Sequence, residues 1–345
     1  MIGKKTPGTA FGERAGYARF QRLQKATIFV LLAVLCGYAA VQSPTFLSWT
    51  NIVDNLFTNA SALAVIAVGM TLVMIGGGFD LSVASNTAVC SVVLVLVMDG
   101  LSYLGSVPAI SVALASAAVV GTGLGAVNGF LVAYVGVNPF VVTLSTMLIF
   151  RGLALILTDG GQALQVADIG LRRQFSWFYD AQLAPFGAGH TVSLPIVIFI
   201  AVFVAAVYLL RYTRFGHYVY AVGGNEQAAW LAGVNTKRVK AATYTLCGFT
   251  CSVAAVIFLA MTATAQAESH AGKELEVIAA VIVGGTPLGG GSGSLFATLT
   301  GVLLLRVIDN LLTQFSVGTE YRNVITGLII AVVVTADVIA KRRRS

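Results

Sequence analysis

Charge is what this sequence has least of. Asp, Glu, Lys and Arg make up 10% of its 345 residues, against about 25% in an ordinary globular chain. Histidine occurs three times and cysteine four times, while 57% of the residues are apolar. So little charge cannot coat a soluble domain of this length, and a single soluble core rarely grows past about 250–300 residues. So apolar a chain is equally far from disorder. The cysteines, Cys36, Cys90, Cys247 and Cys251, all sit inside apolar runs and read as small hydrophobes rather than as a disulfide framework. Cys247 and Cys251 share a helix face, but no His or carboxylate lies near enough in the chain to complete a metal site.

What is present is long uncharged text. None of the four charged residue types occurs in 26–53, 55–79, 100–150, 181–210, 241–267 or 277–305. One Asp, Lys or Arg at the centre of a membrane helix costs about 2.5–3.5 kcal/mol, so lipid selects for such gaps. The runs are continuously apolar, not the alternating segments of about ten residues that a membrane barrel needs. The fold class is therefore an all-α polytopic membrane protein of about ten transmembrane helices. The expected spans are 26–43, 55–77, 81–98, 107–135, 140–157, 191–210, 241–264, 276–288, 292–313 and 323–340. The segment 276–288 is short and broken by glycine, which predicts a broken or re-entrant helix.

The sparse charge orients the chain. Of 21 Lys and Arg, six precede the first span (Lys4, Lys5, Arg14, Arg19, Arg22, Lys25), five flank one loop (Arg211, Arg214, Lys237, Arg238, Lys240) and four end the chain (Lys341 to Arg344). That clustering is the positive-inside pattern, and it accounts for the net charge of +7 without nucleic acid as a partner. It predicts a basic cytoplasmic segment 1–25, a transmembrane domain 26–340 with a cytoplasmic loop 211–240 and an external loop 158–190, and a basic cytoplasmic tail 341–345. A basic stretch before an apolar core also describes a signal peptide. The length of the basic region, and the even span count that retention gives, favour a retained first span.

Two glycine-rich breaks carry the sharpest local signals. In Gly76-Gly77-Gly78-Phe79-Asp80-Leu81-Ser82-Val83-Ala84-Ser85 three glycines free backbone groups, and Asp80 is placed to cap the next helix. Capping is its simplest role, yet an ionisable residue between two spans is also a pathway candidate. Val283-Gly284-Gly285-Thr286, running on to Ser294, echoes this break, and Gly125 to Val137 with Asn128 echoes Gly301 to Val317 with Asn310. Such echoes suggest an inverted repeat, in which discontinuous helices line the path. Phe79, Asp80, Ser82, Ser85, Asn128 and Asn310 are the candidate pathway residues. The second break is not a phosphate loop, because no Lys follows it and no G-x-x-x-x-G-K-[ST] occurs anywhere. Nor is it a serine-protease site, because His190, His217 and His270 fall at span edges or in loops.

Inside the basic loop, Gly224-Asn225-Glu226-Gln227-Ala228-Ala229-Trp230-Leu231-Ala232-Gly233 reads as a short helix, capped by Asn225, favoured by Glu226 at its positive end and stopped by Gly233. Its Ala, Leu and Trp surface asks for a partner groove, although Trp230 would also suit an anchor at the bilayer interface. Arg306 with Asp309 (i, i+3) and Asp337 with Lys341 (i, i+4) read as structural pairs. Glu268, His270, Lys273, Glu274 and Glu276 read as a solvated external cluster.

With these motifs in view, the chain resembles the sugar ABC-transporter permeases of the ribose, xylose and arabinose type. Gly76–Ser85 is similar to their Gly-Gly-Ile-Asp-Leu-Ser-Val-Gly-Ser signature, Gly224–Val234 to their coupling segment, and Glu276–Ser294 to the Gly-Gly and Gly-Ser text that follows. The likeness runs in order from about 50 to 340, with departures at Phe79, Ala84 and Trp230. It implies the permease half of a monosaccharide importer in the bacterial inner membrane. The implied partners are a second permease copy (homodimer or heterodimer), a cytoplasmic ABC ATPase subunit that carries the ATP and Mg, and a periplasmic sugar-binding protein. It implies no cofactor and no catalytic residue in this chain. Gly224, Asn225, Glu226, Ala228, Ala229, Leu231 and Gly233 would form the ATPase-coupling segment, so Ala229→Glu should spoil docking. The rival reading is an ion-coupled secondary sugar transporter, for which Asp80 is the one tempting carboxylate.

Overall fold

The computed structural model describes residues 30–318 apart from 31, 187–189 and 269, together with scattered positions between 321 and 335. The described residues are helical almost throughout. An apolar α1 (Leu32–Gln42) precedes α2 (Thr50–Ile75), α3 (Val83–Gly100), α4 (Ser106–Val135) and α5 (Pro139–Leu157). Next come α6 (Ile169–Asp180) and an antiparallel hairpin of β1 (Gln182–Phe186) and β2 (His190–Ser193). They lead into α7 (Leu194–Tyr212), α8 (Arg214–Gly224), α9 (Glu226–Leu231), α10 (Thr236–Thr262), α11 (Lys273–Val283) and α12 (Leu295–Gln314).

Seven of these, α2, α3, α4, α5, α7, α10 and α12, are long and apolar enough to cross a membrane, which makes the chain an all-α multi-pass membrane protein. They match seven of the ten expected spans. Of the other three, 26–43 is represented by the shorter α1, and 323–340 lies outside the described residues apart from isolated positions, as does the pair Asp337 and Lys341. Segment 276–288 is not a crossing: α11 has 11 residues, or about 16 Å at 1.5 Å per residue, against a hydrocarbon core of about 30 Å.

The helix α2 forms the centre of the bundle. Its apolar window is 89% buried and it packs against α7, α10, α11 and α12, whereas α4 and α5 are 28% buried in theirs and form the perimeter. Hydrophobicity alone does not choose a helix's neighbours in lipid, but small residues do, because they let backbones approach. On α4 the stripe Ala109, Ala113, Ala117, Gly121, Gly125 and Gly129 is buried, one residue every four along a single face. A Cβ added at Gly121 would stand 2.8 Å from the Gly248 carbonyl of α10, and one at Gly129 2.6 Å from that of Ala241. Backbone-to-backbone contact of this kind holds α4 on α10.

Candidate functional site

Both glycine breaks fold into the same local structure. After α2, the Gly77 N–H donates to Met74 O (3.0 Å) and the Gly78 N–H to Val73 O (3.0 Å), with Gly77 at φ +85°. After α11, the Gly285 N–H donates to Ile282 O (2.8 Å) and the Thr286 N–H to Val281 O (3.1 Å), with Gly285 at φ +90°. Each is a Schellman stop, which uses the freedom of glycine at positive φ to satisfy the last carbonyls of the helix. The first sequence echo therefore has a structural counterpart, joining the α2–α3 break to the α11–α12 break. The second echo sets α4 against α12 and follows a different helix pairing.

The two breaks meet, and the basic loop meets them both. The Gly291 N–H donates to Ile75 O at 2.8 Å, across from the end of α2. A Cβ at Gly290 would lie 2.6 Å from Gly77 Cα, and one at Gly291 2.6 Å from Gly224 Cα. At Gly223 an added Cβ would run into the Ile75 carbonyl. Side chains tie the same place together. The Tyr220 hydroxyl of α8 donates to Gly293 O (3.1 Å), the Tyr244 hydroxyl of α10 to Phe79 O (3.2 Å), and the Thr71 and Thr298 hydroxyls of α2 and α12 lie 2.9 Å apart. The glycines at 223, 290 and 291 were not among the expected site residues. Their signal was the clustering of glycine itself, in pairs and triplets at 223–224 and 289–291.

From this junction projects α9. The Asn225 side chain caps it by accepting the Ala228 N–H at 2.9 Å, Glu226 is paired with Lys240 of α10 at 2.5 Å, and Gly233 at φ +84° ends it in a third Schellman stop. Gly224, Ala228 and the tip of Trp230 and Leu231 are exposed, the last two at 65% and 73%. Ala229 corrects the expectation. It is 5% exposed and belongs to the core that includes Val219, Val222 and Val239, so Ala229→Glu would disrupt packing within this chain before it touched a partner.

The candidate pathway residues divide into two groups. Asp80, Ser82, Ser85 and Asn128 come together, all buried. Asp80 Oδ1 accepts the Ser82 N–H (2.8 Å) and hydroxyl (2.6 Å), Asn128 Nδ2 donates to Ser82 Oγ (2.8 Å) and stands 3.3 Å from Asp80 Oδ2, and the Ser85 hydroxyl donates to Ser82 O (2.9 Å). Asp80 does not cap α3. Ser82 is the N-cap residue and makes no side-chain cap bond. Asp80 closes the turn before it, because its short side chain reaches the N–H two residues on. Phe79 packs beside Phe140, with ring centroids 6.2 Å apart. Asn310 stands apart, near the far end of α12, bonded to Asn51 of α2.

The expected external cluster is only partly solvated. Glu276 is 12% exposed, held by Lys273 at 2.9 Å and by Arg306 of α12. Arg306 therefore has Glu276 as its nearer partner, with Asp309 at 3.7 Å. His270 is 7% exposed against Phe258. Burial, and then the positive charges of Lys273 and Arg151, hold its imidazole down at about 4.

Residues 52–334 match the family described as branched-chain amino acid transport system / permease component. The chain is 36% identical to the ribose import permease protein RbsC of Escherichia coli K12 over 338 residues, 96% of this chain and 98% of that one. It is 30% identical to the galactose/methyl galactoside import permease protein MglC of Haemophilus influenzae, covering 92% and 95% of the two chains. It is also 30% identical to the D-allose transport system permease protein AlsC of Escherichia coli K12, covering 91% of each. No solved structure matches the chain. By the family match and by these near full-length likenesses, the chain belongs to that permease family and, within it, to the ribose-type sugar ABC permeases.

Proposed function

We propose that this chain is the membrane-spanning permease subunit of an ATP-binding-cassette importer for a monosaccharide, in the bacterial inner membrane, with both termini and α9 on the cytoplasmic side. It performs no chemistry on the sugar, and ATP and Mg are held by a separate ATPase subunit. A second permease copy completes the pathway, and a periplasmic sugar-binding protein delivers the cargo. The ribose, galactose and allose import activities in the names of its relatives support the substrate class.

The observation that carries the reading is the placement of α9. Its exposed tip, Trp230 and Leu231, is apolar within a basic loop and fits a groove on a partner. Its base is continuous with Gly223 and Gly224, which lie against both helix breaks. A push on α9 by a closing ATPase pair would reach Ile75 and Gly291 through backbone contacts rather than through flexible side chains. Coupling of this kind needs an element with two arrangements, and a pair of adjoining helix breaks supplies one.

The test is Leu231→Glu, measured as ATP-driven monosaccharide uptake and as co-purification of the ATPase from native membranes. We expect uptake to fall more than about tenfold, as for burying an unpaired charge at an interface worth about 1.4 kcal/mol or more, with the ATPase lost from the purified complex. Unchanged uptake with the ATPase retained would sink the proposal. Uptake that needs no ATPase and collapses with an uncoupler would select the ion-coupled alternative instead.

A further inference from the structure

At the end of the bundle opposite α9, two polar stripes line one cavity. Asn51, Asn55 and Asn59 recur every four residues at the start of α2, and Arg306, Asn310 and Gln314 recur at the same interval near the end of α12. The space that they line together measures about 340 Å³. Since Ile75 at the other end of α2 touches the α9 junction, and the lining residues of α2 run from Asn51 to Asn59, this cavity lies about 25–35 Å away along the helix axis.

Its wall is built rather than incidental. Asn51 and Asn310 exchange amide hydrogen bonds (3.3 and 3.0 Å), Gln314 Nε2 donates to Asn310 Oδ1 (3.0 Å), and Asn51 Nδ2 also reaches Phe46 O (2.9 Å). The backbone under Asn51 and Asn55 is an eight-residue π-helical stretch, Thr50–Phe57, a rare winding that is frequent at functional sites. Polar side chains within apolar spans are costly and usually face the bundle interior or a water-filled cavity. Adhesion between helices accounts for Asn51 and Asn310. It does not account for Asn55 and Asn59, both exposed, nor for Gln314 Oε1 and Arg306 Nε, which are buried with no protein partner.

Charge decides what kind of solute fits. Arg306 and Lys273 are balanced by Glu276 and Asp309, so the site offers amide donors and acceptors with no net charge. Its volume is at the small end of ligand pockets, which run to about 300–1,000 Å³. We propose that this cavity is the outward-facing receiving site of the permease, taking a single neutral sugar ring by hydrogen bonds from its hydroxyls to Asn55, Asn59 and Gln314. The inference rests on the importer reading above and adds where the cargo first enters this chain.

The test uses the assembled transporter in membranes of known orientation, with Asn55→Cys and Asn59→Cys made separately. A membrane-impermeant maleimide is applied from either side, with the parent chain as the background for its own thiols. We expect both positions to label from the face opposite the ATPase, and the rate to fall several-fold with D-ribose, D-galactose or D-allose at high millimolar concentration but not with sucrose. No labelling from that face, labelling slowed by none of the three monosaccharides, or slowing by sucrose as well would each overturn the site. Wild-type uptake is measured on the same membranes. Protection without any ATP-driven uptake would sink the importer reading and leave the receiving site standing.

Discussion

The two ends of α2 solve the same problem in opposite ways. At Ile75 the helix ends against glycine, and its last carbonyl accepts a backbone N–H from Gly291 in a junction that leaves no room for a Cβ at Gly223. At Asn51 it begins with amides that reach across to Asn310 and border a cavity. In lipid every polar backbone group needs a partner, and every polar side chain needs a partner or water. The Ile75 end meets that demand mainly through close backbone contact, tied by the Tyr220 and Tyr244 hydroxyls, and is the drier of the two. The Asn51 end meets it with side chains and keeps unused hydrogen-bonding capacity. We read the first as a place that transmits force and the second as a place that meets solute.

Substitutions can break this contrast. The largest effect is expected at the dry end, where Gly223→Val forces apart the α2 and α11–α12 breaks. We expect a loss of about 3 kcal/mol or more, the upper range for overpacking, read as a fall in the thermal midpoint of the purified protein and as failure of uptake. A near-normal midpoint would mean that the junction gives way easily, contrary to a force-transmitting role.

The wet end should instead answer to pH. His270, in the loop after α10, is held at about 4 in the folded chain against an ordinary 6.5. Between those values the unfolded chain takes up a proton that the folded chain refuses, so stability falls as the pH drops through that window. From pH 7 to pH 5 the loss should be about 1–2 kcal/mol, and His270→Gln should flatten the slope of thermal midpoint against pH. An equal slope in both proteins would remove His270 from the account.

Smaller still is Asn51→Leu, which strands Asn310 and should cost about 1 kcal/mol. Adding Asn310→Leu should recover part of it, measured as a double-mutant cycle. No recovery would mean that the two amides are not coupled. Gly289→Ala is the control at the dry end. Nothing stands within 4 Å of its added Cβ, so a change beyond about 0.5 kcal/mol would be unexpected for an open position.

Much of the architecture was legible in the chain itself. The charge-free runs located the seven long helices within a few residues, and the glycines of 284–291 marked α11 as broken. Asn225 and Gly233 act as read, because capping and Schellman stops are set by residues a few positions apart. Reading failed where the relevant neighbour lies far away. Ala229 looks like its exposed neighbours in a short apolar helix, and only the packing of α8 and α10 buries it. Glu276 and His270 look solvated until Arg306, Arg151 and Phe258 are brought to them. The amide stripe at Asn51, Asn55 and Asn59 drew no expectation from the sequence, because its meaning depends on the facing stripe on α12, about 250 residues further along.

By itself, the sequence determined that this is a helical membrane protein, roughly where its helices lie, and that a short capped helix stands in its most basic loop. Those properties follow from costs paid residue by residue or within one turn: transfer of charge into hydrocarbon, and satisfaction of helix ends. Only the tertiary structure decided that Gly77, Gly223 and Gly291 share one junction and that Asn55 and Gln314 share one cavity. In lipid an apolar surface gains little by choosing one apolar neighbour over another. The choice falls to close backbone approach and interhelical hydrogen bonds, and both depend on residues that the chain keeps far apart.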